Sequence, residues 1–162
     1  MRDPASYDAD IFAWSQRQAE VLRGLARIRR DLPNDLDLDH VAEEIEDLGL
    51  SELRKVESLL RRILGHAIKL ASSPDSQAVA GWRREIRNWQ ADGLTHFTPA
   101  MRGRIDLERA WRLACRDAVG ELADHGEATV PLPAACPVDL DGLLDEGFQP
   151  DALVAAIRAA DA

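Results

Sequence analysis

The sequence predicts an all-α fold: an irregular helical bundle of about four main helices around a long central helix, with a C-terminal arm. Alanine, leucine and arginine are abundant, whereas aromatic residues make up 5% of the chain. This composition favours helices over strands. Apolar residues recur at steps of three and four, which is the period of one helical face. No segment shows the alternation of a strand, so no sheet is expected.

The chain is long enough for a single domain with its own hydrophobic core. It has 162 residues, and a chain of this size buries roughly 70% of its unfolded surface. We expect a disordered N-terminus over residues 1–6, a helical bundle over 7–125 and an arm over 126–162. The arm is expected to contain short helices and to pack on the same domain.

The central helix is predicted from Asp37 to Lys69. Asp39 is suited to cap its N-terminus, and the acids that follow lie in the first turns, where the helix dipole favours negative charge. Gly49 interrupts this segment. However, Ile45 and Val56 are eleven residues apart, which is close to three helical turns. The apolar phase therefore continues through Gly49, and we expect one unbroken helix in which this glycine lets another helix approach closely.

Capping residues and prolines predict the remaining helix boundaries. The first helix is expected to begin near Asp8 or Asp10 and to end at Pro33-Asn34. Its inner face is predicted to consist of Tyr7, Ile11, Trp14, Val21, Leu22, Leu25, Ile28 and Leu32. The later elements are a helix from Pro74 to near Gly93, a helix from Thr98-Pro99 to His125-Gly126, a short helix over 140–144 capped by Asp139, and a last helix within 150–162.

Cysteine content and hydropathy favour a cytoplasmic protein. The two cysteines, Cys115 and Cys136, are sparse enough to be reduced thiols, which suits the cytosol. The first ten residues lack the apolar core of a signal peptide, and no apolar run approaches the ~20 residues of a membrane span. We therefore expect no membrane association.

The net charge of −9 argues against nucleic acid as a partner. The charge is uneven, because residues 121–162 contain nine acids and one base, so the argument is weaker for the rest of the chain. Trp82 and Trp89 are interleaved with arginines, as in some nucleic-acid binders. Both tryptophans share a helical face with Ile86. Core packing therefore explains them better, and nucleic acid binding is considered unlikely.

Several short motifs occur together in a known family. The most specific block begins at Glu43-Glu44-Ile45-Glu46 and continues through Leu48-Gly49 and Ser51-Glu52 to His66 and Lys69. The other motifs are Tyr7-Asp8-Ala9-Asp10, Phe12, Trp14, Gln18-Ala19, Leu36-Asp37-Leu38, Trp82-Arg83, Cys136-Pro137, Leu143-Leu144-Asp145 and Phe148. On these residues, the chain resembles the bacterial proteins grouped as domain-of-unknown-function family 29.

This resemblance implies a small α-helical bacterial protein in the cytosol, with no established activity and no mechanism. The sequence departs from the family pattern at two places. Gly65 precedes His66 where a larger apolar residue is expected, and this departure would leave more room around His66. The segment Leu140-Asp141-Gly142 is also richer in glycine than expected.

The candidate site lies along the central helix. Four glutamates crowd around Gly49, and a histidine lies next to the apolar stripe further along: Glu43, Glu44, Glu46, Glu52 and His66. Capping and the helix dipole explain much of the acidity. A lone histidine on such a face is most often a hydrogen-bonded core residue. The other interpretation is a general base completed by a tertiary neighbour.

The sequence predicts no bound metal and no cofactor. Asp35, Asp37, Asp39 and Glu46 have the spacing of a calcium loop, but His40 occupies the position that requires glycine. The Glu-x-x-His motif of bundle metal sites is absent. The pairs His40/Glu44, Asp92/His96 and Glu121/His125 all fall near predicted helix ends. Glu44 and His66 would be about 33 Å apart along a straight helix.

Three functions follow in order of preference. The first is a non-enzymatic interaction module that binds an unidentified protein, or itself, through a groove beside the central helix or through the acidic arm. The second is a metal-dependent or His/Glu-assisted enzyme, and the third is a nucleic-acid binder. A pocket containing His66 or the glutamates would favour the enzyme, whereas an exposed apolar patch would favour the module.

Overall fold

The computed structural model describes residues 6–29, 31–33 and 35–159. The predicted disorder at the N-terminus falls on residues that, apart from Ser6, lie outside this part of the chain, as does Asn34 at the expected end of the first helix. The all-α fold is confirmed, and no strand occurs within the described ranges. The helices are α1 (Ile11–Ile28), α2 (Leu38–Ser72), α3 (Val79–His96), α4 (Leu107–Asp124), α5 (Leu140–Leu143) and α6 (Pro150–Ala159), with a 3-10 turn at Pro99–Met101.

The long central helix is confirmed as one continuous element, α2, which passes through Gly49 without a break. The chain forms two compact units, and α2 contributes residues to both. The first unit contains the described residues up to Arg54 together with Phe97–Ile105. The second unit contains Lys55–His96 and the described residues from Asp106 onward. The proposed division into a bundle over 7–125 and an arm over 126–162 stays a prediction.

In the first unit, α1 and the beginning of α2 approach each other closely. A Cβ added at Gly49 would lie 2.0 Å from Ser15 Oγ and 3.3 Å from Phe12 Cα. A residue with a Cβ at this position would press on α1, so the close approach of the two helices depends on glycine, as the sequence predicts. The buried hydrophobic residues here are few and several are small: Phe12, Ala19, Leu38, Ala42, Leu53 and Met101.

A buried carboxylate, Asp10, organises the N-terminus of α1. One oxygen accepts a hydrogen bond from the Ala13 N–H at 2.8 Å, which caps the helix as predicted. The other oxygen accepts from the Ala100 N–H at 3.3 Å, in the 3-10 turn. One side chain therefore joins two segments of this unit that are ninety residues apart.

The second unit has a larger aliphatic core. Its fully or nearly fully buried side chains come from α2, α3, α4, α5 and α6, and they include Leu60, Ile63, Leu64, Ile68, Ile86, Trp111, Leu143, Leu153 and Ile157. Polar contacts fix the C-terminal segment to this core. Trp111 Nε1–H donates to the Pro133 carbonyl at 3.0 Å. Arg158 donates to the Ala71 carbonyl at 2.8 Å, near the C-terminal end of α2.

Four predicted boundaries are wrong. The first helix ends at Ile28 rather than at Pro33-Asn34, and Arg29 is its C-cap. At the other three boundaries a different local interaction prevails. The third helix begins at Val79 rather than Pro74, since Ser73 and Ser76 form a turn whose Ser76 Oγ accepts from the Ala78 N–H. Gly93 does not end this helix; it is buried within it, where a Cβ would lie 3.7 Å from Leu144. The fourth helix begins after Asp106, whose carboxylate accepts from the Arg109 N–H.

The inner face predicted for α1 is also wrong in part. Val21 and Ile28 are 57% and 76% exposed, respectively, and Tyr7 is exposed as well. The buried residues of α1 are instead Phe12, Ser15 and Ala19. Leu48 of α2, which is in phase with Ile45, is exposed as well. The periodic pattern of the first helix identifies an apolar face, but its residues are not the ones that are buried in α1.

Candidate functional site

The predicted site residues are divided between the two units. The four glutamates, Glu43, Glu44, Glu46 and Glu52, belong to the first unit, whereas His66 belongs to the second. Glu46 forms an ion pair with Arg23 of α1 at 2.5 Å, and Glu43 and Glu44 are exposed. Within residues 6–29, 31–33 and 35–159, no group of three or more His, Cys, Asp or Glu side chains could hold a metal ion.

His66 is held by side chains of α3. Its Nε2 lies 2.7 Å from Glu85 Oε2. Its ring is edge-on to Trp89, with centroids 4.6 Å apart, and to Trp82 at 6.4 Å. The tryptophans that the sequence assigned to the core therefore flank this histidine. Glu85 was not predicted as its partner, because it lies on another helix and no local spacing relates the two residues.

Burial lowers the pKa of His66 below its ordinary value of 6.5, and the positive charge of Lys69 lowers it further. The hydrogen bond with Glu85 acts in the opposite direction but does not prevail. His66 is therefore a neutral imidazole near neutral pH. A neutral imidazole oriented by a carboxylate is a chemically competent general base. No cysteine lines the pocket beside His66 among the described residues, and the thiol of Cys115 is not activated. Burial raises the pKa of Cys115 to about 11.

A pocket of about 340 Å³ lies beside His66, between α2 and α4. Its α2 wall is formed by Ser58, Arg61, Arg62, Gly65, His66 and Lys69, and its α4 wall by Ala114, Asp117, Ala118 and Glu121. A Cβ at Gly65 would meet nothing within 4 Å. The room that the sequence suggested around His66 is therefore present, and Gly65 contributes to it.

Two ion pairs connect the walls of this pocket. Arg61 pairs with Asp117, and Lys69 pairs with Glu121 at 2.7 Å. Lys69 is 8% exposed, and its ammonium lies 5.4 Å from the centroid of the Trp82 ring. A buried lysine requires such partners, because an uncompensated charge in this position would be costly.

The first unit carries a different feature, on the outer face of α1. Eight residues follow one another at alternating steps of four and three: Tyr7, Ile11, Trp14, Gln18, Val21, Leu25, Ile28 and Leu32. This alternation is the heptad spacing found at the seam of a coiled coil. Six of the eight lie within α1, and the other two flank it. We call these eight residues the α1 seam.

No residue of the α1 seam is buried. The Tyr7 and Trp14 rings pack edge to face, with centroids 5.0 Å apart, and the rest of the seam is covered only partly. Val41 and Leu48 of α2 are exposed in the same unit. Seven of the eight residues belong to the predicted inner face of the first helix, but none of them is buried. Tyr7, Val21 and Ile28 are exposed, and the other five are partly covered.

Together these features define a small all-α protein with a polar pocket in one unit and an apolar helix face in the other. Among the described residues, no helix combines the length and apolar character needed to cross a bilayer. The family described as “domain of unknown function DUF29” matches residues 6–149. The chain therefore belongs to this family, and the resemblance inferred from its motifs is confirmed.

A solved structure supports the same assignment. The crystal structure of an alpha-helical protein of unknown function from Rhodospirillum rubrum, determined at 1.45 Å resolution, is 46% identical in sequence. The match covers 93% of this chain and 96% of that chain, with a TM-score of 0.88. No curated protein matches the chain significantly.

Proposed function

We propose that this chain is a non-enzymatic interaction module that associates with a second copy of itself through the α1 seam. The observation that carries this proposal is the seam's combination of heptad spacing and exposure. Apolar residues at this spacing pack as knobs into holes when two helices meet along the seam. Val21 and Ile28, which remain more than half exposed in the folded chain, would be removed from water by such a partner.

The chemistry of the seam suits an identical partner. None of its eight residues is charged, so two copies of the seam do not repel each other. Its one polar residue, Gln18, has an amide that both donates and accepts hydrogen bonds, and it can therefore pair with the same residue of a second copy. A single polar residue in such a seam is a known means of fixing register.

The charges beside the seam are complementary within one copy. Within α1 there are three arginines, Arg17, Arg23 and Arg27, against one glutamate, Glu20. The first half of α2, up to Arg54, carries six acids: Asp39, Glu43, Glu44, Glu46, Asp47 and Glu52. Arg23 pairs with Glu46 of the same chain at 2.5 Å, so we expect charge to contribute less to self-association than the apolar residues of the seam. On this proposal, the predicted glutamates flank an interface rather than a catalytic centre.

Sedimentation of the full-length chain over a range of concentrations tests the proposal. We expect a monomer–dimer equilibrium that persists at high salt, because the seam is apolar and uncharged. The double substitution Val21→Glu and Ile28→Glu should give a monomer with unchanged helix content. The matched control is Val119→Glu in α4, which also changes an exposed apolar residue but lies in the second unit.

Two results would overturn this proposal. One is a wild-type chain that remains monomeric at every concentration, in which case the seam faces solvent or a different protein. The other is a dimer that survives the double substitution but dissociates with Val119→Glu, which would assign the interface to the second unit.

A further inference from the structure

We infer that the pocket between α2 and α4 of the second unit is a binding site for a small organic monocarboxylate. This inference is independent of self-association, because every lining residue of the pocket belongs to the second unit. It rests on the space in the pocket, on the balance of charges around it and on the apolar surface within it.

The space is produced by small side chains at facing positions. Gly65 on α2 faces open space, and Ala114 and Ala118 line the opposite wall. The volume of about 340 Å³ lies within the range of small-molecule sites, roughly 300–1,000 Å³. Leu60, Ile63 and Leu64 of the same helix are fully buried, so the open space lies on one side of α2.

The charges favour one negative charge on the ligand. The lining contains three permanent cations, Arg61, Arg62 and Lys69, and two carboxylates, Asp117 and Glu121. Arg61 and Lys69 are each paired with one of these carboxylates, and Asp117 also pairs with Arg116, which lies outside the lining. In the described part of the chain, Arg62 has no carboxylate partner, and its guanidinium contacts the ring of Trp89, 5.7 Å from the centroid. One cation thus remains for an anionic ligand.

A carboxylate fits this arrangement better than a phosphate. A planar carboxylate can accept two parallel hydrogen bonds from a guanidinium such as that of Arg62. A phosphate dianion would bring a second negative charge close to Asp117 and Glu121, which would repel it. The alanines and the glycine of the walls offer apolar contact to the body of the ligand. The inference therefore specifies an organic anion with one carboxylate and a compact apolar part.

Titration of the full-length chain with sodium benzoate, followed by amide NMR, tests this inference. We expect saturable shifts of the amide signals of Gly65, His66 and Ala118, with smaller shifts for acetate, which lacks the apolar body. Inorganic phosphate should give no saturable shift at the same ionic strength. Saturation by phosphate but not by benzoate would overturn the assignment of the ligand class, and the absence of saturation by all three would overturn the site.

Matched variants locate the binding. Gly65→Leu places a side chain in the pocket from a position where an added Cβ meets nothing within 4 Å, and it should abolish the saturable shifts. Gly81→Leu is its control, because Gly81 is also helical and also faces open space, but does not line this pocket. Arg62→Gln should weaken benzoate binding about tenfold or more, since it removes a charge-assisted hydrogen bond. The exposed Arg84 supplies the control Arg84→Gln, which should leave binding unchanged.

The variants also separate this inference from the proposed function. The double substitution Val21→Glu and Ile28→Glu should dissociate the dimer and leave benzoate binding intact. Equal affinity of the wild type, Gly65→Leu and Arg62→Gln would show that benzoate binds elsewhere and would overturn the site, whatever the oligomeric state.

Discussion

The two units use the same helix in different ways. Along the second half of α2, Leu60, Ile63 and Leu64 are completely removed from solvent. Along the first half, Val41 and Leu48 have the same helical character but are 40% exposed. The first half also has buried residues, Leu38, Ala42 and Leu53, but fewer large ones. The comparison shows that one continuous helix can bury large aliphatic side chains along one half and leave comparable ones partly exposed along the other.

The largest expected difference between the units concerns two isoleucines. Ile63→Ala, in the second unit, should lower the free energy of unfolding by about 2–5 kcal/mol, because the lost side chain leaves a cavity. Ile28→Ala, in the first unit, should change it by about 0.5 kcal/mol or less in the monomer. Chemical denaturation at low protein concentration measures both. Equal losses of unfolding free energy in the two variants would contradict the difference in burial between the two units.

A smaller difference is expected between two glycines of α2. Gly49→Ala should destabilise the first unit by about 1–3 kcal/mol, since its Cβ would press on Ser15 and on the backbone of Phe12. Gly65→Ala has no such neighbour and should stabilise the chain by about 0.5–1 kcal/mol, because alanine is the better helix former. Thermal unfolding of both variants should therefore give shifts of opposite sign. Stabilisation by both would argue against close helix packing at Gly49.

The smallest effect is expected from two histidines, which should titrate on opposite sides of 6.5. The hydrogen bond to Asp37, and the charge of the same carboxylate, raise the pKa of His40 in the first unit. Burial and Lys69 lower the pKa of His66 in the second. NMR titration of the imidazole C–H signals measures both directly, and a reversed order would contradict the geometry at these sites.

The two pKa shifts have opposite consequences for stability. The contribution of His40 is fully present below pH 6.5 and is lost as the pH rises through its higher folded pKa. For His66, the unfolded chain binds the proton more readily, so stability falls as the pH decreases from 6.5 through the lower folded pKa. Substituting each histidine with glutamine should remove the corresponding slope from the dependence of unfolding free energy on pH.

Much of the fold could be predicted because its signals are local. The caps at Asp10 and Asp139, the end of α4 at His125 and the passage of α2 through Gly49 all follow from residues that are neighbours in sequence. Gly126 has a φ of 71°, the left-handed conformation that suits glycine after a helix. A helix start is predicted at the wrong residue, as at Pro74, where a turn uses the same capping groups as the helix would.

The site was less predictable because its contacts are tertiary. Periodicity identifies the apolar face of α1, but it does not reveal whether another element covers that face, and Val21 and Ile28 were wrongly assigned to the interior. The partners of His66 and Lys69, Glu85 and Glu121, come from other helices. Two local sequence features do point to these sites. One is the regular four-three alternation through Gln18, and the other is Gly65 immediately before His66, where a larger residue is expected.

The buried carboxylate of Asp10 has a consequence for the order in which the protein is made. A chain emerges from the ribosome N-terminus first, so Asp10 can cap α1 long before its second donor, the Ala100 N–H, has been synthesised. All of α2 and α3 must be translated in the interval. The first unit is therefore completed only after its second segment, Phe97–Ile105, has been translated. During that interval α1 has its first cap but lacks the contact between Asp10 and the 3-10 turn.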